Sequence, residues 1–333
     1  MNSRRLLLLI LPLMMAGCSL TAQTTFSQFY SSPLTVNPAN TGKFTGDYRL
    51  GGVCRNENNS FGFSSAKAAF FTDMRILKSS LATNDKLAVG VAALAEKNVA
   101  LGLKNSYLSF SLAYHKGLDE AGLQQVGVGF QINYCHQSLT SPTLIFEDQL
   151  LYLSTRGIVN TNPYGMQPVN ITYPDLNIGL VYENAFDNRN TVSVGLSAFH
   201  VNRPNTSFNG GEFHLAPLGS LQLGWKRQSS SDDENALFSS LMVSNTKDKT
   251  LGYINVNFIY LARINQSRYK IGPGCSFRRD EFSDNALIPS IALYYEKFVF
   301  NISFDVNVSK QTSSQRRAAE ASVIYTIHQK TKE

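Results

Sequence analysis

The residues best equipped for chemistry in this 333-residue chain are its five histidines and four cysteines. His115, His136, His200, His214 and His328 show no spacing, with one another or with cysteine, that would converge on a metal ion. Beyond Cys18, the cysteines Cys54, Cys135 and Cys275 are odd in number and far apart, which is not a disulfide framework. Each falls in a strand-like run, where a small buried apolar side chain is expected. Gly195-Leu196-Ser197-Ala198-Phe199 lacks the closing glycine of a nucleophile elbow, and Gly127-Val128-Gly129-Phe130-Gln131 lacks the third glycine of a dinucleotide loop. Asp73, Asp175 and Asp305 fall in or beside strands, where an inward carboxylate is expected to be solvated and not tuned for proton transfer. No catalytic, cofactor or metal site is expected, which leaves binding and architecture.

The elements that carry these residues are strands. Charged residues make up 16% of the chain, low for a water-soluble domain, and aromatics 11%, high for a disordered one. Past the amino terminus no segment approaches the roughly 20 apolar residues of a membrane-spanning helix. The net charge of +6 is scattered, with doublets such as Arg278-Arg279 and Arg316-Arg317 lacking interleaved aromatics, so nucleic acid is not an expected partner. Anionic lipid head groups or an acidic protein surface could use the same charges.

Arg4 and Arg5 precede an apolar run from Leu6 to Met15, so residues 1–22 read as a secretory signal peptide. Two cleavage sites compete. Ala16-Gly17-Cys18 resembles a lipobox, which would cut after residue 17 and lipidate Cys18, whereas Leu20-Thr21-Ala22 before Gln23 resembles an ordinary signal-peptidase site.

Downstream, apolar residues recur with a period of two. Val126, Val128, Phe130, Ile132 and Tyr134 alternate with Gln125, Gly127, Gly129, Gln131 and Asn133, and Phe298, Phe300, Ile302, Phe304 and Val306 with Asn301, Ser303, Asp305 and Asn307. Several runs pass the five or six residues of sandwich strands and reach the roughly 9 to 11 that cross a bilayer. Tyr107, Tyr114, Tyr134, Tyr260 and Tyr295, near strand ends, suit an interfacial aromatic girdle. Cutting at turn-rich segments predicts strands over residues 46–55, 61–74, 86–96, 104–116, 123–136, 175–183, 191–202, 218–228, 235–245, 251–263, 268–279, 286–296, 297–309 and 318–328. The expected fold is all-β, a transmembrane antiparallel outer-membrane β-barrel of about 14 strands over residues 46–328, with a polar tail at 329–333. If the first strand starts in the periplasm, the two longest connections, 137–174 and 203–217, both lie outside the cell, as barrels require. Residues 23–45 form a lead-in that packs on the wall, plugs the lumen or makes a periplasmic turn; Asn37-Pro38 fixes a bend in it.

Phe26-Ser27-Gln28-Phe29-Tyr30, Asn37-Pro38-Ala39, Thr41-Gly42, Gly46-Asp47-Tyr48-Arg49 and Arg55-Asn56 follow one another in an order that resembles the mature start of the PorP/SprF family. Val194-Gly195-Leu196-Ser197 with His200-Val201-Asn202-Arg203-Pro204 is similar to its mid-chain motif, and Ala286-Leu287-Ile288-Pro289-Ser290 to its later one. Phe304-Asp305-Val306-Asn307 and Glu320 to Tyr325 are similar to its last two strands. The resemblance implies a non-enzymatic barrel of the type IX secretion system in the outer membrane of Bacteroidota, with no cofactor. Its implied partners are outer-membrane lipid, the secretion machinery and a large secreted or surface protein, gliding adhesins among them. Motif membership assigns no role to Asn37, Pro38, Gly46, Asp47, Tyr48, Arg49, Arg55, Asn56, Asp305 or Asn307. Asp47 and Arg49 are expected either to hold the lead-in segment or to form a strand-end ion pair. A diffusion porin is the alternative function, and an outer-membrane lipid hydrolase a more distant one.

Overall fold

In the computed structural model the described residues are 26–58, 64–99, 102–140, 169–187, 189–207, 211–228, 236–246, 249–263, 268–280, 285–308 and 317–327. The expected signal peptide at 1–22 with Cys18, most of the connection after residue 139 and the expected polar tail lie outside them. Period-two sequence becomes fourteen strands: β1 (Tyr48–Asn58), β2 (Ser64–Ile76), β3 (Lys86–Asn98), β4 (Leu103–Gly117), β5 (Gln124–Leu139), β6 (Val169–Ala185), β7 (Asn190–Phe199), β8 (Leu218–Gln228), β9 (Ala236–Thr246), β10 (Lys249–Arg263), β11 (Tyr269–Asp280), β12 (Asn285–Tyr295), β13 (Phe298–Asn307) and β14 (Arg317–Ile327). Each pairs antiparallel with its neighbours in sequence, and β14 pairs with β1, from Tyr48 opposite Ile327 to Asn58 opposite Arg317, which closes the ring. Closure leaves no first or last strand without a neighbour, the condition for strands to cross a lipid bilayer.

The expected strands are all present, with one boundary displaced by more than three residues. β6 starts at Val169, not at 175, and runs through Pro174. Proline is tolerated there because β7 reaches only as far as Ile178, so this part of β6 is an edge on that side. In place of strand pairing, Asn202 Nδ2 donates to the Pro174 carbonyl and Asn202 Oδ1 accepts from Leu176 N. β7 ends at Phe199, short of 202, because His200 adopts a left-handed φ of 56°.

The wall has two chemically distinct faces. Phe70, Phe110, Phe130, Ile132, Ile178, Phe258, Ile291, Ile302 and Phe304 are exposed on the outside, while their sequence neighbours point into a packed lumen. Each large apolar side chain would lose roughly 1.5–3 kcal/mol in water that a bilayer returns. Tyr114, Tyr182, Tyr260, Tyr269, Tyr295 and Tyr325 fall at the rim where β1 begins, the turn rim, with Tyr269 stacked on Tyr295 at 4.7 Å. Tyr107 departs from the expected girdle, since it has lumen parity and lines an internal recess. The cysteines also divide: Cys135 is buried, but Cys54 and Cys275 have outward parity and are exposed. The long connections β5–β6 and β7–β8 share the opposite rim, the loop rim, which the external-loop rule places outside the cell.

Candidate functional site

A fourteen-strand ring encloses more space than wall side chains alone can fill. Residues 26–45 enter that space. Pro33 opens α1 (Pro33–Val36), and Pro38 opens a 3₁₀ turn over Pro38–Asn40, each at a helix start where a missing N–H costs nothing. Asn37 links the two: its Oδ1 accepts from Ala39 N at 2.8 Å, a cap. The resulting compact rod presents Phe26 to Val53 and Ala69, Leu34 to Phe71 and Ala92, and Phe29 and Val36 to Met242. Leu34, Asn37, Ala39 and Thr41 have no exposed surface. The lead-in segment thus occupies the lumen.

Charge holds its first residues. Glu320 on β14 accepts the backbone N–H groups of Ser27 (2.9 Å) and Gln28 (2.8 Å), and Asp305 Oδ2 on β13 accepts from Ser27 Oγ at 3.0 Å. Two guanidinium groups balance these carboxylates. Arg55 Nη2 on β1 donates to Asp305 at 2.8 Å and lies near Glu320, and Arg278 on β11 donates both to Asp305 and to Ser27 Oγ. All four ionic side chains are buried. The expectation that inward carboxylates are solvated is therefore corrected: Asp73, Asp175 and Asp305 are 1%, 2% and 5% exposed, because the segment covers Asp73 and Asp305 while Asn133 and His200 pair with Asp175.

The middle of the segment sits on a neutral floor. Asn37 Nδ2 donates to the carbonyls of Leu180 (3.1 Å) and Leu196 (3.2 Å), Gln131 donates to Leu34 O, and Ser197 and Gln222 both donate to Val36 O. This approach demands missing side chains. A Cβ on Gly179 would stand 2.0 Å from Asn37 Oδ1, and one on Gly129, its register partner on β5, 2.3 Å from Ala39 N. Both residues face the lumen on adjacent strands and make the recess into which Asn37–Ala39 settles.

The exit toward β1 is pinned again. Asp73 on β2 accepts from Gly42 N at 2.7 Å and from Arg49 through two nitrogens at 2.9 and 2.8 Å, while Arg49 Nη2 also donates to Asn40 O. His115 Nε2 meets Thr41 O at 2.8 Å, and Arg75 Nε donates to Gly42 O. Gly42 (φ 75°) turns against Ala88, whose Cβ leaves no room for another, and Gly46 (φ 134°) gives the last bend before β1.

The motif residues are thus distributed unevenly. Arg55 and Asp305, 250 positions apart, meet at 2.8 Å. Asn37 and Pro38 form the seated bend. Gly46, Asp47, Tyr48 and Arg49 lie at the exit, where Arg49 pairs with Asp73 and Asp47 with Lys78, not with each other. Asn56 points outward and is exposed, and Asn307 ends β13 on the lumen-facing parity. Sequence reasoning missed Glu320, Arg278 and the two floor glycines. Their available signal was parity: a charge or glycine on the polar, lumen-facing side of a strand.

Among the described residues, two of the spaces beside the segment are well defined. One, of about 720 Å³, opens at the turn rim beneath Tyr30, Ser31 and Phe44; the other, of about 220 Å³, lies at the loop rim near Tyr107, Asp175 and His200. Tyr30 hydrogen-bonds to Asn301, and burial raises its phenol pKa, so it remains protonated. Among the described residues no group of three or more His, Cys, Asp or Glu side chains could hold a metal ion.

The barrel is similar to the Pseudomonas putida toluene transporter TodX (TM-score 0.52, 8% identity, covering 93% of this chain and 95% of that one). It is also similar to a Pseudomonas aeruginosa FadL homologue (TM-score 0.53, 9% identity, covering 94% and 100%). At such identities the likeness is one of fold. No curated protein matches the chain. The family comparison is more specific: residues 20–325, which include both the lumen segment and all of its anchors, match the profile of the type IX secretion system membrane protein PorP/SprF, and the chain belongs to that family of outer-membrane barrels.

Proposed function

We propose that this barrel is a non-enzymatic component of the type IX secretion system that supports export or cell-surface attachment of one or a few large secreted proteins, gliding adhesins among the candidates. Family membership supports the link to the secretion machinery. The observation that carries the distinction from a diffusion pore is the filled lumen: residues 26–45 contact wall residues on β1, β2, β4 to β8, β10, β11, β13 and β14. A barrel held shut by this many buried contacts is suited to presenting its rims to partners, not to passing solutes. Among the solved barrels it resembles are a toluene transporter and a FadL homologue, which keeps a channel as the alternative. A hydrolase is disfavoured by Ser197, whose hydroxyl is committed to Val36 O.

The test is deletion of the gene. The proposal expects specific large proteins to vanish from surface-shaved peptides while small-solute permeability is unchanged. An unaltered surface proteome with lost uptake of small solutes would transfer the function to the channel.

A further inference from the structure

The space at the turn rim is a charged chamber that the segment's anchorage does not explain. Its lining carries four cations, Lys43, Arg75, Lys86 and Lys226, and one carboxylate, Glu183. Glu183 pairs with Lys43 at 3.2 Å. Lys86 Nζ reaches only the neutral amide of Gln125, Arg75 donates to a backbone carbonyl and stacks over Phe44, and Lys226 lies over the Phe238 ring. Arg75 also lies in the field of Asp47 and Asp73, and Lys86 in that of Glu183, but those three carboxylates are paired with Lys78, Arg49 and Lys43, so the half-open space keeps an excess of three positive charges, an arrangement that raises the local concentration of negative ligands.

The inner end has a different chemistry. Asn257 and Asn301, both 3% exposed, line the chamber, and the Oδ1 of each has no hydrogen-bond partner among the described residues. Such acceptors call for N–H or O–H donors. Tyr30, Phe238, Ile259, Ala292 and Tyr294 supply apolar wall between the two polar zones. Inorganic phosphate would satisfy the cations and could donate an O–H, but it brings no apolar bulk for the wall, and a lipid held by its head group keeps its acyl chains in the bilayer outside the ring. An extended peptide brings all three: carboxylates, backbone N–H groups and side chains. A volume of about 720 Å³ is within the usual range for ligand pockets.

We infer that the turn-rim chamber is a binding site for a short acidic, partly apolar peptide segment of a secreted protein, held by Lys86, Arg75 and Lys226 at the mouth. The inference rests on the export reading for the source of the peptide, and on the chamber alone for its chemistry. The external-loop rule places this mouth on the periplasmic side, where an exported chain arrives.

The experiment uses the full barrel in detergent and three probes: a fluorescent hexapeptide of alternating aspartate and phenylalanine, its counterpart with lysine in place of aspartate, and inorganic phosphate. The acidic peptide is expected to bind in a salt-sensitive manner, the basic one not to bind, and phosphate at the same concentration not to displace it. Lys86→Glu with Lys226→Glu should weaken binding by about tenfold or more. Lys78→Glu, at the same rim but outside the chamber, should not. Retention of the heat-modifiable gel mobility of a folded barrel controls for misassembly. Equal binding of both peptides, equal displacement by phosphate, or indifference to the double charge reversal would each overturn the assignment. Because these readouts are made on purified protein, they fail independently of the deletion test: a barrel that binds the acidic peptide while deletion spares the surface proteome would retain the site and lose the export role.

Discussion

The two ends of the lumen segment are held by opposite physics. At Ser27–Gln28 the wall offers two carboxylates and two guanidinium groups that satisfy one another as well as the segment. At Asn37–Ala39 it offers backbone carbonyls, neutral amides and absent side chains. A balanced buried ionic group is sensitive to partial loss, because removing one member strands the others without solvent, whereas replacing the whole group by apolar residues can be nearly neutral. A close-packed neutral seat is sensitive to added volume. The comparison teaches that the first anchor is a device of charge balance and the second a device of shape, so different substitutions should release them.

The largest effect is expected from Asp305→Ala, which leaves Arg55 and Arg278 buried with Glu320 and the partly exposed Glu57 as their remaining carboxylates and should cost about 3–5 kcal/mol. Thermal loss of heat-modifiable mobility measures it. Combining Asp305→Leu with Arg55→Met should restore much of that loss, and a double variant as unstable as the single one would argue against charge balance as the controlling term. Gly179→Val comes next: overpacking costs about 1–3 kcal/mol, and since the Cβ would lie 2.0 Å from Asn37 Oδ1, the segment should be lifted from its floor. Planar-bilayer recording should show open steps in this variant and a closed parent; a closed variant would mean that the floor glycines do not seat the segment. Asn37→Ala removes a cap and two donors and should cost about 1–3 kcal/mol, with Asn37→Asp no better, because it faces two carbonyls with acceptors. The smallest effect is expected from Asp47→Ala: Lys78, its partner, has a side chain 45% exposed, and such pairs contribute under about 1 kcal/mol.

The strands were legible because alternation over ten or more residues matches the period of a strand and not that of a helix. The displaced start of β6 shows where that reading weakens: Pro174 signals a break unless the neighbouring strand is known to be short. The site was legible in part. Arg55 and Asp305 stood in recognisable motifs, but their meeting depends on the register of β1 on β14 and β14 on β13, which local pattern does not encode. Glu320 and Arg278 were harder still, since Glu320 only opens a segment of family likeness and Arg278 stands in a charged doublet near a strand end, and both read as ordinary lumen or rim residues until the lumen is known to be filled. The same omission explains the mistaken expectation of solvated carboxylates. Cys54 and Cys275 looked like core residues because small side chains fit either face of a thin wall.

The contacts of Glu320 with Ser27 and Gln28 span 293 and 292 positions, and they straddle the junction where the last strand meets the first. Loop-closure entropy for such contacts must be met before any of them forms, which slows folding and concentrates it in a late step. Docking β14 on β1 brings Glu320 to the segment's amides and Arg55 to Asp305 at once, so ring closure and capture of the segment should proceed as a single cooperative event.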